Sequence, residues 1–270
     1  MDLIERDIEV EGARAHIYEA GSGFPILLMH GVGPGTCVPV NFGRVLEPLA
    51  ARYHVFGTDL IGFGGSGRKA EPPYFDYPLW LKQAEAVFAA MPEGPKGILG
   101  HSLSSTLGMR LAGRHGDVSK LLLSAAIGTP MTVNADLETL WTFPENLADL
   151  RRAMDVLFYD SAFVTDAMLE DRLAVLKADS YAEYFKAMFG GDKDALLAPT
   201  VLAAEEFARI ACEVAIVHGR SDAPCPFDET AALLVEAIPQ ADLYALAACG
   251  HGPASERPER FLSVAFDFFG

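Results

Sequence analysis

Six short apolar runs, at 25–29, 53–57, 97–99, 120–123, 214–217 and 242–246, punctuate the chain. Several are apolar at nearly every position instead of alternating, which is how strands covered on both faces read. Stretches with helical spacing fall between most of them, at 42–51, 80–90, 106–114, 230–237 and 258–269. Strand and helix in alternation lead to an α/β fold, a mainly parallel, twisted sheet flanked by helices. Upstream, residues 8–10 and 15–18 alternate polar with apolar, which predicts an opening antiparallel pair.

The alternation fails over 129–209, which reads as helices only and is too long for a loop. We expect a helical cap, or lid, inserted after the sixth strand, with residues 1–128 and 210–270 forming the core. The insertion is rich in aromatics, among them Trp141, Phe143, Phe158, Tyr159, Phe163 and Phe185. Most of these are expected to pack as its own core, since helical stripes usually mean packing.

Charge narrows the partners. The 37 acidic residues outnumber the 21 basic ones, a formal charge of −16. That field repels nucleic acid and anionic lipid, so neither is expected as a partner. An anionic small molecule would have to meet a specific local cation. Cys37, Cys212, Cys225 and Cys249 form no CxxC pair and read as free thiols of a reducing compartment. No signal peptide and no run of about 18 apolar residues is visible, so a cytoplasmic protein with no membrane association is expected. His16, His54, His115 and His218 do not cluster at ligand spacing, so no metal and no cofactor is expected.

The chemistry concentrates at residues 97–108, where a short apolar run meets a helix start with Ser102 at the corner. This is the layout of a nucleophile elbow, a turn that needs small residues two before and two after the serine. Gly100 meets the first need, and Ser104 stands where the G-x-S-x-G pattern has glycine. A serine hydroxyl needs a base, and the base an orienting carboxylate. Asp222 follows the run at 214–217, and His251 follows the run at 242–246. Taken singly, Asp222 could be a turn residue and His251 a loop histidine. Together, each just past a strand, they can converge on Ser102 at one sheet edge. The glycine-rich turn Gly31, Val32, Gly33 follows the first apolar run. It offers the Val32 N–H, and the elbow offers the Leu103 N–H, as donors to an oxyanion. His30 reads as structural beneath that turn.

Over essentially its whole length the chain resembles the α/β-hydrolases, whose nucleophile, acid and histidine follow in this order. Within that superfamily it is most similar to the meta-cleavage product hydrolases, which break a C–C bond in 2-hydroxy-6-oxohexa-2,4-dienoates during aromatic ring degradation. Three pieces carry the narrower likeness. The stretch from His30 to Gly35 matches their HGxGPG turn, followed by Asn41 at a substrate-binding asparagine. Residues 159–172 resemble a cap pattern that ends in the arginine gripping the substrate carboxylate, here Arg172. Cys249, Gly250 and His251 match their C-G-H. The likeness implies a Ser102–His251–Asp222 triad, an oxyanion hole at Val32 and Leu103, substrate contacts at Gly31, Asn41, His101, Arg172 and Gly252, an anionic small-molecule substrate and a homodimer. Arg172 could instead be a surface residue paired with Glu170 or Asp171. His101 replaces the family's asparagine, Ser104 its glycine, and Gly252 a frequent tryptophan.

Two other functions compete. An esterase, lactonase or amidase would use the same triad, and His101 leans that way. A ligand receptor on a hydrolase scaffold would bind without turnover, though it has less need of all three triad residues. Haloalkane dehalogenation needs a carboxylate nucleophile, and position 102 is serine.

Overall fold

The computed structural model describes residues 2–270. Eight strands form one sheet: β1 (Ile4–Val10), β2 (Ala13–Ala20), β3 (Pro25–Met29), β4 (His54–Asp59), β5 (Lys96–His101), β6 (Val118–Ser124), β7 (Glu213–Gly219) and β8 (Ala241–Leu246). Their spatial order is β1-β2-β4-β3-β5-β6-β7-β8. The β1–β2 and β2–β4 pairs are antiparallel, and every other pair is parallel.

The continuous apolar runs are explained by helices on both faces. Successive side chains of a strand point to opposite sides. Ile26 and Leu28 of β3 therefore pack with Val45 and Leu49 of α1 (Val38–Ala50). Leu27 and Met29 pack on the other face, in the core shared with Trp80 and Val87 of α2 (Tyr77–Ala89) and Leu107 of α3 (Ser104–Ala112).

No strand interrupts the chain between β6 and β7. Six helices fill it: α4 (Ala135–Leu140), α5 (Leu147–Leu157), α6 (Asp166–Leu176), α7 (Tyr181–Met188), α8 (Lys193–Leu197) and α9 (Ala204–Phe207). Trp141, Phe189 and Phe185 pack in series within it, with ring centroids 5.2 and 4.6 Å apart, and Phe75 joins them from outside. Phe163 and Tyr159 remain exposed. After β7 come α10 (Ala231–Ala237), α11 (Pro253–Glu256) and α12 (Pro258–Phe269), and α12 covers the α1 face.

Element starts differ from the sequence reading for local reasons. The fourth strand begins at His54, because the Tyr53 N–H still donates to Leu49 at the end of α1. Helix α2 begins three residues early, at Tyr77, because Asp76 caps the Leu79 N–H at 3.0 Å and Pro78 suits the first turn. Helix α1 likewise begins at Val38, with Pro39 in its first turn.

Asp59, at the end of β4, ties three of these elements together. Its buried carboxylate accepts from Tyr18 Oη of β2 at 2.9 Å, the Val38 N–H of α1 at 2.8 Å and the Gly65 N–H at 2.8 Å. Gly64 must be glycine here, because its φ is +50° and a Cβ would lie 2.1 Å from Asp59 Oδ2. Removing the carboxylate leaves three donors unpaired at about 1–3 kcal/mol each. Asp59→Ala is therefore expected to lose at least about 3 kcal/mol of stability in urea unfolding. A loss below about 1 kcal/mol would contradict this account.

Candidate active site

Strand β5 turns into α3 through Ser102, whose φ of +55° is a left-handed conformation that serine rarely adopts. The turn is tied by Ser102 N–H to the Ser124 carbonyl at 2.8 Å and by Ser105 N–H to the Ser102 carbonyl at 3.0 Å. Gly100 permits the reversal, since a Cβ there would meet the Ser104 carbonyl at 2.7 Å. Gly31 lies against the same turn, and a Cβ on it would stand 2.9 Å from Ser102 Cβ. Ser104 fits where glycine was expected, because its hydroxyl donates to the His30 carbonyl at 2.5 Å.

The strand ends bring the three predicted residues together. Ser102 Oγ lies 2.9 Å from His251 Nε2, and His251 Nδ1 lies 2.8 Å from Asp222 Oδ2. In the neutral ring an acceptor-only carboxylate assigns the proton to Nδ1, which leaves Nε2 free to accept from the Ser102 hydroxyl. Asp222 also accepts from the Cys225 N–H at 2.9 Å, and His218 Nε2 stands 3.1 Å from its Oδ2. Burial works against charge on Asp222, but His251 and His218 outweigh it and hold the carboxyl well below its usual range. Burial likewise disfavours the His251 imidazolium, yet Asp222 beside it holds the group well above the usual histidine range.

Around this chain of bonds the sequence-predicted residues take distinct places. The Val32 and Leu103 N–H groups line the same cavity as Ser102 and donate to no other group among the described residues. Asn41 Oδ1 accepts from the Gly31 N–H at 2.8 Å, so part of that side chain holds the glycine turn. His30 is wholly buried, with Nε2 accepting from the Leu60 N–H at 2.9 Å and Nδ1 donating to the Gly31 carbonyl at 2.6 Å. His101 packs 5.2 Å from the His251 ring, and burial with that neighbour pushes it down to about 3, so it stays neutral. Arg172 pairs with neither Glu170 nor Asp171. Its Nε and Nη2 donate to the Pro34 carbonyl at 3.2 and 2.6 Å, while Nη1 has only the Met154 sulfur at 3.8 Å. Burial lowers its basicity, and no carboxylate among the described residues compensates.

All of the predicted site residues except Asp222, though not the structural His30, line one cavity of about 850 Å³, whose walls are mainly apolar. Ile127, Leu137, Leu140 and Trp141 supply one apolar stretch. Gly252 is explained by its neighbour, because a Cβ there would lie 2.6 Å from Cε1 of Phe158. A ring from the helical segment thus occupies space that a larger residue at 252 would need.

Sequence reasoning missed four participants. Phe158 is one; His218 and Cys225, both against Asp222, are two more. The fourth is Glu256, whose Oε2 accepts from the Tyr159 N–H at 2.8 Å and whose Oε1 accepts from the Gly250 N–H at 2.8 Å. The Gly252 N–H reaches the same oxygen at 3.3 Å, and the His251 N–H donates to the Leu157 carbonyl at 2.8 Å. The one signal available was the three-residue spacing of Asp222 and Cys225.

Residues 26–264 match the model of the alpha/beta hydrolase family. A 2-hydroxymuconate semialdehyde hydrolase of Pseudomonas putida is 31% identical, over 98% of this chain and 94% of that protein. One from Pseudomonas sp. (strain CF600) is 29% identical, over 98% and 93%. Among solved structures, a meta-cleavage product hydrolase from Pseudomonas fluorescens IP01, complexed with acetates, superposes with a TM-score of 0.91 at 26% identity, covering 98% of this chain and 97% of that one. No helix among the described residues is long and apolar enough to cross a membrane.

The electrostatics are open to direct measurement. In ring-proton NMR, His251 is expected to keep its second proton to a pH above the ordinary histidine value of about 6.5. Asp222→Asn should bring that titration to lower pH, since the carboxylate is what favours the imidazolium. A wild-type midpoint at or below about 6.5 would overturn the assignment.

Proposed function

This chain belongs to the alpha/beta hydrolase family, and on that premise we propose that it hydrolyses a C–C bond in 2-hydroxy-6-oxohexa-2,4-dienoates, using a Ser102–His251–Asp222 triad. The observation that carries the reading is Arg172, a half-buried guanidinium without a carboxylate partner, on the same cavity as Ser102 and His251. Desolvating a cation is costly unless an anion meets it. A substrate carboxylate supplies that anion, and the unused Nη1 is free to hold it. The relatives named as 2-hydroxymuconate semialdehyde hydrolases support the same substrate class.

In the proposed reaction the dienol first becomes its keto tautomer, with a proton added at C5. Ser102 Oγ then attacks the C6 ketone as His251 takes its proton. Val32 and Leu103 N–H groups hold the oxyanion. Collapse breaks the C5–C6 bond, and the electron pair leaves as a dienolate conjugated to the C2 ketone. Protonation gives a 2-hydroxypenta-2,4-dienoate. His251 next deprotonates a water, which hydrolyses the acyl-serine to the second acid. Arg172 and Asn41 fix the carboxylate end, and Gly31, His101 and Gly252 shape the space beside the reacting atoms. Residues 129–209 act as a cap whose apolar side chains exclude water from it.

Ester, lactone or amide hydrolysis by the same triad is the second reading. It is favoured by His101, a neutral imidazole where the dienoate hydrolases carry asparagine.

The test is loss of the dienolate visible absorbance with 6-hydrogen, 6-methyl and 6-phenyl substrates. Wild type should turn over at least one, and Ser102→Ala should lose at least about 10³-fold in rate. Arg172→Ala should lower kcat/KM at least about 30-fold, the effect of removing about 2 kcal/mol from a buried charge-paired contact. Unchanged dienoate turnover in Arg172→Ala would refute the carboxylate role, and faster cleavage of simple esters than of any dienoate would favour the second reading.

A further inference from the structure

Cys225 is a buried thiol that the proposed reaction does not use. The turn after β7 places it three residues beyond Asp222, and its N–H donates to Asp222 Oδ1 at 2.9 Å. That bond folds the chain back so that the thiol comes beside His251. One donor atom from each of Asp222, Cys225 and His251 lies within 4.8 Å of the other two, and all three residues are buried.

Carboxylate, imidazole and thiolate form a donor set suited to zinc and cadmium, and poorly suited to magnesium or calcium. In a tetrahedral zinc site the ligand atoms stand roughly 3.3–3.7 Å apart, given metal–ligand bonds of about 2.0–2.3 Å. Side-chain movements of about 1 Å therefore close this set around one ion. An outer layer is already present. His218 Nε2 stands 3.1 Å from Asp222 Oδ2 and 2.9 Å from the Cys225 carbonyl, so it braces both ends of the turn. Cys225 and His251 also line the cavity, which gives an ion a route in and leaves the fourth coordination position for water.

We propose that Asp222, Cys225 and His251 form a binding site for a thiophilic divalent cation, and that its occupancy reversibly inhibits the enzyme. Cys225 releases its thiol proton to solvent as the metal–sulfur bond forms. His251 gives a ring nitrogen to the ion, and Asp222 an oxygen. The hydrogen bond between those two is broken, so His251 loses both its orienting partner and its capacity to take the Ser102 proton. The site is an off-switch, distinct from any metal that would assist catalysis. It depends on the geometry alone and stands whichever bond the enzyme cleaves.

The experiment titrates the metal-free protein with cadmium chloride and reads the ultraviolet cadmium–thiolate band. Wild type should saturate at one cadmium per chain. The band should vanish in Cys225→Ala and weaken in Cys225→Ser, with both variants checked for folding by circular dichroism. It should persist in Cys212→Ser, whose thiol lies in no such cluster. In parallel, zinc chloride should slow turnover of whichever ester or dienoate the wild type accepts, and EDTA should restore it. Magnesium chloride should do nothing. Each variant is compared with its own uninhibited rate, and Cys225→Ala should raise the half-inhibitory zinc concentration at least about tenfold. A band that survives in Cys225→Ala, the absence of one-to-one binding in wild type, or equal zinc inhibition of wild type and Cys225→Ala would each overturn the proposal.

Discussion

The backbone reversal at Ser102 is the constraint on which the cavity floor is built. A left-handed serine costs of order 1–2 kcal/mol and persists only where its surroundings fix it. Here they do so from three sides. Strand β6 takes the Ser102 N–H through the Ser124 carbonyl, α3 begins on the Ser102 carbonyl, and Gly31 and Gly100 leave no room for the turn to relax. Ser104 then fastens α3 to the His30 carbonyl, so the elbow and the glycine turn move as one body. That union sets the two unpaired N–H groups, from Val32 and Leu103, on the cavity that holds the serine hydroxyl. Strain at one residue thus supports the relative placement of the serine hydroxyl and the two N–H groups.

Much of this was legible because it is local. The apolar runs gave the strands, their uninterrupted character gave helices on both faces, and the sequence around Ser102 announced a tight turn. The order of Ser102, Asp222 and His251 was also readable, since a parallel sheet brings the ends of β5, β7 and β8 to one edge. Helix starts were read late where a cap or a proline extended them, as at Asp76 and Pro39. The contacts made across long sequence distances were not legible. Phe158 meets Gly252 only because the helical segment folds back over the loop after β8, and no local pattern at either residue encodes that. His218 reads only as a histidine outside any ligand cluster until the register of β7 and the following turn set it against Asp222.

Charge tells a related story. A chain with 37 acidic and 21 basic residues has few cations to spare, and Arg14, Arg114, Arg151 and Arg152 meet carboxylates at the surface. Arg110 is held by Glu206, the carbonyls of Pro199 and Val201, and Tyr77 Oη, which pins α3 to the far end of the helical segment. Arg172, like the exposed cavity-lining Arg44 and Arg68, has one backbone carbonyl as its main hydrogen-bond partner, but it alone of the three is half-buried. The acidic field keeps anions away in general, and under the proposed function the half-buried Arg172 is the cation that would hold the substrate carboxylate.

The Glu256 carboxylate has a mechanical consequence. It grips the Tyr159 N–H with one oxygen and the Gly250 and Gly252 N–H groups with the other, while the His251 N–H holds the Leu157 carbonyl. The helical segment and the histidine loop are therefore riveted along this seam. Swinging the segment open here would drag His251 away from Ser102, so traffic through this side would break the hydrogen bond between them. The exposed apolar residues that also line the cavity, Val40, Phe163, Met168 and Val175, mark a different rim. A doorway on that rim would let molecules come and go while the Ser102–His251–Asp222 hydrogen bonds stay assembled.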